Sequence, residues 1–158
     1  MSNEQKAQGV GHIPSGLFVV SVKNGEQMDG YLASWVQQVS FSPLRIAVAI
    51  NPDRQGYDSI VGGTPFSVNI VGDHDTQYMR YFWSGYEPGT NPFAEIDTVI
   101  SENETIHIKG AKSVIDCKFV EKIRPGDHDI VIAEVLDSKV YSEEAKPKVH
   151  IRKSGLEY

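Results

Sequence analysis

Hydrophobic and polar positions alternate with a period of two, or crowd into short β-branched runs, along most of this chain. These runs fall at Leu17–Val22, Leu32–Phe41, Leu44–Ile50, Phe66–Val71, Ile106–Ile108, Ala111–Lys122, Ile130–Val135, Lys139–Tyr141 and Lys148–Arg152, the pattern of strands that bury one face. Asn24-Gly25, Ser42-Pro43, Asn51-Pro52 and Pro125-Gly126 separate them with residues that favour turns or restrict the residue before them. The gaps leave little room for the crossover helices that parallel neighbours need, so the pattern predicts an antiparallel barrel and not a βαβ array. Short helices are expected at Asp58–Val61 and Thr76–Trp83, the second capped by Asp73 or Asp75 and ended by Gly85. The segment "GYEPGTNPFAEID" resists any regular element and reads as a mobile or cofactor-covering loop from Gly85 to Ile100.

One run departs from the plain core pattern. In Leu32–Phe41 neither face is apolar: Ala33, Trp35, Gln37, Val39 and Phe41 oppose Leu32, Ser34, Val36, Gln38 and Ser40. Buried in an ordinary core, Ser34, Gln37 and Ser40 would each need a hydrogen-bond partner or cost on the order of 1–3 kcal/mol. A bound polar heterocycle would supply those partners. The next run sets bulky Leu44, Ile46, Val48 and Ile50 against Arg45, Ala47 and Ala49, and its small face would let something flat lie close. It leads into "NPDRQGYDSI", where Asn51, Arg54, Tyr57 and Ser59 offer a guanidinium fork, a ring and hydroxyls. Such a loop suits a phosphate and equally suits solvent.

Length and composition narrow the picture. At 158 residues, 40% hydrophobic and 23% charged, the chain is expected to form one globular domain over residues 1–158. No apolar run approaches the ~18 residues of a membrane span, and residues 1–12 lack the features of a secretory signal, so a cytoplasmic, membrane-free protein is expected. A formal charge of −6 with scattered basic residues argues against nucleic acid as a partner. A single cysteine, Cys117, excludes an intramolecular disulfide and reads as a buried, inert thiol. The five histidines show no pair at helical metal spacing, so no metal site is expected.

Two motifs carry possible chemistry. "GVGHIPSG" looks like a phosphate loop but leads into a strand, not a helix, which leaves a plain lead-in loop. "GDH" occurs twice, and His128 in the second stands immediately before the apolar run "IVIAEV". There it is either turn chemistry or an imidazole at the mouth of a barrel.

Taken together, "IPSGLFVVSV", "MDGYLASWVQQVSFSPLRIAVAI", "DSIVGGTPFSVNIV", "GDHDIVIAEV" and "VHIRKSG" resemble the flavin reductase-like, FMN-binding split-barrel family, from about Ile13 to Gly155. The resemblance implies a six-stranded Greek-key barrel with flanking helices and a homodimer with the flavin at its interface. By the same resemblance, Ser34, Trp35, Val36 and Gln37 contact the isoalloxazine ring and ribityl chain. Asn51, Arg54 and Tyr57 hold the phosphate end with Ser40 as a further ligand, and His128 stands near the flavin and the incoming nicotinamide as the catalytic residue. The cofactor expected is FMN in preference to FAD, with NADH or NADPH as electron donor. Two other readings stay open: a flavoredoxin-like carrier reduced by a redox protein partner, and a non-catalytic flavin- or haem-binding module on the same barrel.

Overall fold

The computed structural model describes residues 1–158. In chain order the elements are α1 (Asn3–Gly11), β1 (Ser15–Gly16), β2 (Phe18–Asn24), β3 (Gln27–Ala33), β4 (Val36–Phe41), β5 (Leu44–Ile50), α2 (Tyr57–Val61), β6 (Phe66–Ile70), a 3-10 helix (Gln77–Tyr81), β7 (Thr98–Ile100), β8 (Ile106–Ile108), β9 (Ser113–Ile123), β10 (Asp129–Val140) and β11 (Val149–His150). No helix is long and apolar enough to cross a membrane.

Seven strands form one antiparallel sheet in the order β3-β2-β6-β9-β10-β5-β4. Its two edges, β3 and β4, are consecutive in the chain. Laid flat, a sheet of this order would put those edges roughly 29 Å apart at the usual strand spacing, yet the step from Ala33 to Val36 spans at most ~11 Å. The sheet must therefore roll up, and Ser34 and Trp35 form the corner where its edges meet. No ladder of hydrogen bonds joins β3 to β4, so the barrel is split there.

The antiparallel barrel expected from the sequence is the fold found, with three differences. The run Leu32–Phe41 is not one strand: it ends β3, turns at Ser34–Trp35 and supplies all of β4, so the sheet has seven strands and not six. Lys139–Tyr141 mostly continues β10, whose pairing with β9 is interrupted by register shifts at Ile132/Ala133 and Val135/Asp137 that break the alternation. Lys148–Arg152 shrinks to the two residues of β11, paired with β1.

Both expected helices are present but differ at their caps. The second is a 3-10 helix that starts after Thr76 without a side-chain cap, because Asp73 instead accepts from the Lys146 N–H at 3.0 Å. The loop Gly85–Ile100 is tied down: Tyr86 Oη accepts from Gly30 N and donates to Asp29, each at 2.9 Å, and Phe93 packs on Phe82 with ring centroids 5.3 Å apart. Helix α1 was not expected. Its signal was Ser2-x-x-Gln5, which closes a capping box: Ser2 Oγ accepts from Gln5 N at 3.2 Å, and Ser2 N donates to Gln5 Oε1 at 2.9 Å.

Strand β2 shows why the core has two layers, since Phe18 to Val22 are buried on both faces. Phe18, Val20 and Val22 fill the barrel with Val48, Phe66, Val68 and Val131, while Val19 faces outward beneath Phe82, Phe93, Ile106 and Ile108. The outward face also carries buried polar groups. Ser21 and Ser67 donate to Ile106 O at 3.0 and 2.5 Å, and Asn69 Oδ1 accepts from Ile108 N at 2.8 Å, which fastens β8 to the barrel wall. Gly30 lies where the loop presses closest: a Cβ there would stand 2.8 Å from Phe93 Cζ and 3.0 Å from Phe82 Cε1. We expect Gly30→Ala to cost ~1–3 kcal/mol through overpacking. A urea-unfolding midpoint equal to that of the wild type would show that the loop gives way freely.

Candidate functional site

The corner at Ser34–Trp35 opens onto a cleft of about 540 Å³. The alternation of β5 decides its floor: Ile46, Val48 and Ile50 are buried in the barrel core, and Ala47 and Ala49 line the cleft. Trp35 O accepts from Ala49 N at 3.0 Å, which fixes the corner to that floor. Val36 and Gln37 continue the wall along β4, Ile130 contributes from β10, and the β1–β11 pair closes the far side with Gly16 and Lys148. Ser34, Trp35, Val36 and Gln37 thus come together as the sequence anticipated.

Ser34 is 6% exposed, and its Oγ has no hydrogen-bond partner within the protein. Trp35 is half-buried within an aromatic and cationic cluster. The ring of His128 lies 4.9 Å from it, that of Tyr158 5.6 Å, and the Arg152 guanidinium sits 5.2 Å over its face. His128, with a side chain 13% exposed, is held at both nitrogens, by Asp127 at 2.7 Å on Nδ1 and by the Tyr158 hydroxyl on Nε2. Because a carboxylate only accepts, a neutral ring donates from Nδ1 to Asp127 and leaves Nε2 to accept from Tyr158. The hydrogen bond from His128 in turn holds the Asp127 carboxyl below the usual carboxylate range.

Arg54 and Asn51 reach the other side of the corner. With Ser34, Trp35 and Tyr158 they surround a gap of only about 10 Å³. The Arg54 guanidinium packs 5.8 Å over the faces of both Tyr31 and Tyr158 and pairs with no carboxylate. Asn51 Oδ1 accepts from Asp53 N at 2.9 Å, shaping the turn that carries Arg54.

Two anticipated residues do not join this group. Tyr57 is buried in the barrel core; its hydroxyl donates to Asp129 and accepts from Lys122 Nζ at 2.6 Å. Gly56 sends it there: at φ 87°, with Val22 Cγ1 2.7 Å from where a Cβ would lie, the chain turns inward before α2. Asp129 is held well below the normal carboxylate range by Arg124 first, then by Tyr57 and Lys122. Ser40 lies beyond a register shift in β4, opposite Arg45 and outside the cleft lining. Tyr158 and Arg152 were not anticipated; "VHIRKSG" contains Arg152, but nothing in the sequence marks Tyr158 as part of a site.

A family model described as flavin reductase like domain matches residues 10–155. Diflavin flavoprotein A 1 of Synechocystis sp. is 31% identical over 152 residues, 96% of this chain but 26% of that protein, so the chain spans about a quarter of the length of such relatives. The NADH:FAD oxidoreductase SgcE6 of Streptomyces globisporus superposes with a TM-score of 0.83 at 23% identity, over 94% of this chain and 86% of its own. The flavin reductase PheA2 gives a TM-score of 0.80 at 22% identity, over 96% of this chain and 94% of its own.

Proposed function

The chain belongs to the flavin reductase-like domain family, and from that premise we propose that it is an FMN-binding oxidoreductase whose cleft at Ser34–Trp35 holds the flavin. NADH or NADPH supplies the electrons, and a second acceptor receives them. The observation that carries this reading is the Ser34 hydroxyl, buried without a partner in the wall of the cleft. Such a group costs ~1–3 kcal/mol until something bonds to it, and the polar edge of a flavin removes that cost.

The other residues fit the same group. Ala47 and Ala49 leave space for a flat ring, Gln37 offers an amide to its edge, and Arg54, free of any ion pair, matches a terminal phosphate beside Asn51. When bound, a flavin supplies chemistry that no side chain here offers, accepting a hydride and returning electrons singly or in pairs. The chain itself binds and orients. His128, clamped by Asp127 and Tyr158, presents an ordered imidazole beside Trp35. We expect His128→Ala to slow reduction by the nicotinamide nucleotide about tenfold or more while FMN affinity changes by less than about threefold. Parallel losses in both, measured by stopped-flow and by fluorescence titration, would instead make the imidazole part of the flavin seat.

Phe41, 91% exposed, stands with Val39 and Leu44 at the exposed end of the β4–β5 hairpin. Apolar surface of this kind supports self-association, and with it a homodimer carrying the flavin near its interface. The deciding experiment for the function is the visible spectrum of the purified protein, followed by anaerobic addition of NADH and NADPH in turn. Flavin bands that bleach with either nucleotide support the reductase and name the donor. A second reading, an electron carrier reduced by a protein partner, draws support from relatives in which this domain is about a quarter of a longer flavoprotein. It is favoured if the flavin bands persist with both nucleotides. A haem spectrum, or a colourless protein that takes up no FMN, overturns the flavin assignment.

A further inference from the structure

A small cavity of about 150 Å³ opens between the 3-10 helix, the loop Gly85–Ile100 and the turn after β8, and it shares no residue with the cleft at Ser34–Trp35. It is roughly five times the ~30 Å³ that one water takes up and well short of the ~300–1,000 Å³ of pockets that enclose a drug-sized ligand. It has room for a small group and none for a nucleotide. Three carboxylates stand in its wall, Asp75 before the 3-10 helix and Glu95 and Asp97 in the loop. Asp97 also meets Lys109 Nζ at 3.1 Å. Arg80, the one cation of the wall, is turned onto Tyr81, stacked 4.9 Å over the ring and donating to its hydroxyl at 2.9 Å.

Charge alone does not make this a site. The mark is Tyr78, 5% exposed, which lines the same cavity and whose hydroxyl is buried with no hydrogen-bond partner. Gly110 brings it beside a carboxylate: a Cβ there would stand 2.6 Å from Asp75 Oδ2 and 3.5 Å from Tyr78 Cδ1, so the absence of a side chain lets the two share one wall. Burial raises the Tyr78 pKa and the Asp75 charge raises it further, so the hydroxyl keeps its proton and still offers lone pairs as an acceptor. A buried hydroxyl with nothing to bond is costly until a ligand reaches it. One set among carboxylates suits a donor that carries positive charge.

The arrangement also selects the kind of cation. No three carboxylate, imidazole or thiol groups of the chain converge closely enough to hold a metal ion. Acceptors spread around a cavity suit a cation whose N–H groups are spread too, and a planar guanidinium presents its donors in a fixed fork. We propose that this cavity binds a guanidinium group, seated on Asp75 and Glu95 with one N–H donated to Tyr78 Oη. The site stands apart from the flavin reading and does not depend on it.

The test titrates the full chain with ethylguanidinium, followed by heteronuclear NMR, and repeats the titration with tetramethylammonium, which has the charge but no N–H. Saturable shifts centred on Tyr78, Glu95 and Gly110 are expected for ethylguanidinium, with tetramethylammonium at least about tenfold weaker. Tyr78→Phe removes only the unpartnered hydroxyl and should weaken binding about tenfold while the melting temperature stays level or rises. Glu95→Gln, a change at an exposed side chain, should weaken it about threefold or more. A Gly-Arg-Gly peptide with blocked ends separates the sources: binding at least as tight as that of ethylguanidinium assigns the group to an arginine side chain of a partner, and weaker binding assigns it to a free guanidino compound. The proposal is overturned if ethylguanidinium causes no saturable shifts, if tetramethylammonium binds equally, or if either variant binds as the wild type does.

Discussion

Ser34→Ala should weaken FMN binding about tenfold to a hundredfold while the melting temperature of the flavin-free protein stays level or rises. The two halves of this expectation have one cause. Within the protein the Ser34 hydroxyl is buried and bonds to nothing, so removing it relieves a desolvation penalty of ~1–3 kcal/mol. Towards a ligand it is a hydrogen bond made only on binding, and each ~1.4 kcal/mol lost there is a factor of ten in Kd. A hydroxyl kept for stability would behave in the opposite way. A melting temperature several degrees lower, with the Kd from flavin fluorescence quenching unchanged, would remove Ser34 from the site.

The largest effect on stability is expected at Asp116 in β9. Its carboxylate, 1% exposed, accepts from Thr105 Oγ1 at 2.5 Å, from His107 Nε2 at 2.6 Å and from Asn103 Nδ2 at 3.0 Å. The opposite nitrogen of His107 lies 3.1 Å from the Tyr141 hydroxyl. Asp116→Ala strands three donors, one of them a buried imidazole, and should cost ~3 kcal/mol or more. For a chain of this length that is a fall in Tm of about 6–12 °C, read by calorimetry.

The same carboxylate gives the protein an acid limit. Burial acts to raise the Asp116 pKa, but the bonds from Thr105, Asn103 and His107 outweigh it and hold the value below normal. A carboxyl depressed in the folded state stabilises fully above its unfolded value of ~3.9, and that stability fades as pH falls through the lower folded value. Asp127 and Asp129 are depressed in the same direction. Stability should therefore hold steady down to about pH 4 and decline below it, more gently in Asp116→Asn. An identical acid limb in wild type and Asp116→Asn would show that Asp116 contributes nothing to it.

Much of this was legible in the sequence, and what was not has identifiable causes. The strand runs were readable because side chains alternate with a period of two wherever one face meets the core, as in Leu44–Ile50. The polar anomaly was readable at Ser34, whose hydroxyl is buried without a partner, but not at Gln37 and Ser40: β4 is an edge strand that leaves Gln37 exposed, with its amide donating to Gln38 O, so these side chains demand no buried partner. The break within Leu32–Phe41 was hidden: the corner carries no glycine or proline, and only the demand that distant sheet edges meet puts a turn there. Tyr57 was misplaced because an aromatic residue three positions after Arg54 looks like part of the same loop, and the inward turn at Gly56 is a tertiary effect. Tyr158 lay beyond reach, since a ring eighteen residues past the end of β10 enters the site only through packing on Trp35, His128 and Arg54.

Helix α1 and the last segment of the chain touch closely, and the contact has a consequence for how this fold can be combined with others. Gly155 N donates to Ala7 O at 2.6 Å, Arg152 N donates to Gly11 O at 3.2 Å, and a Cβ on Gly11 would lie 2.7 Å from Ser154 N. The first and last structured turns are thus neighbours, separated by less than a short peptide can bridge. A domain with that arrangement can be spliced into a surface loop of a larger protein, or have its ends joined and be reopened elsewhere, without disturbing the barrel. Its architecture makes it portable, a cassette able to take its place beside other folded units within one polypeptide.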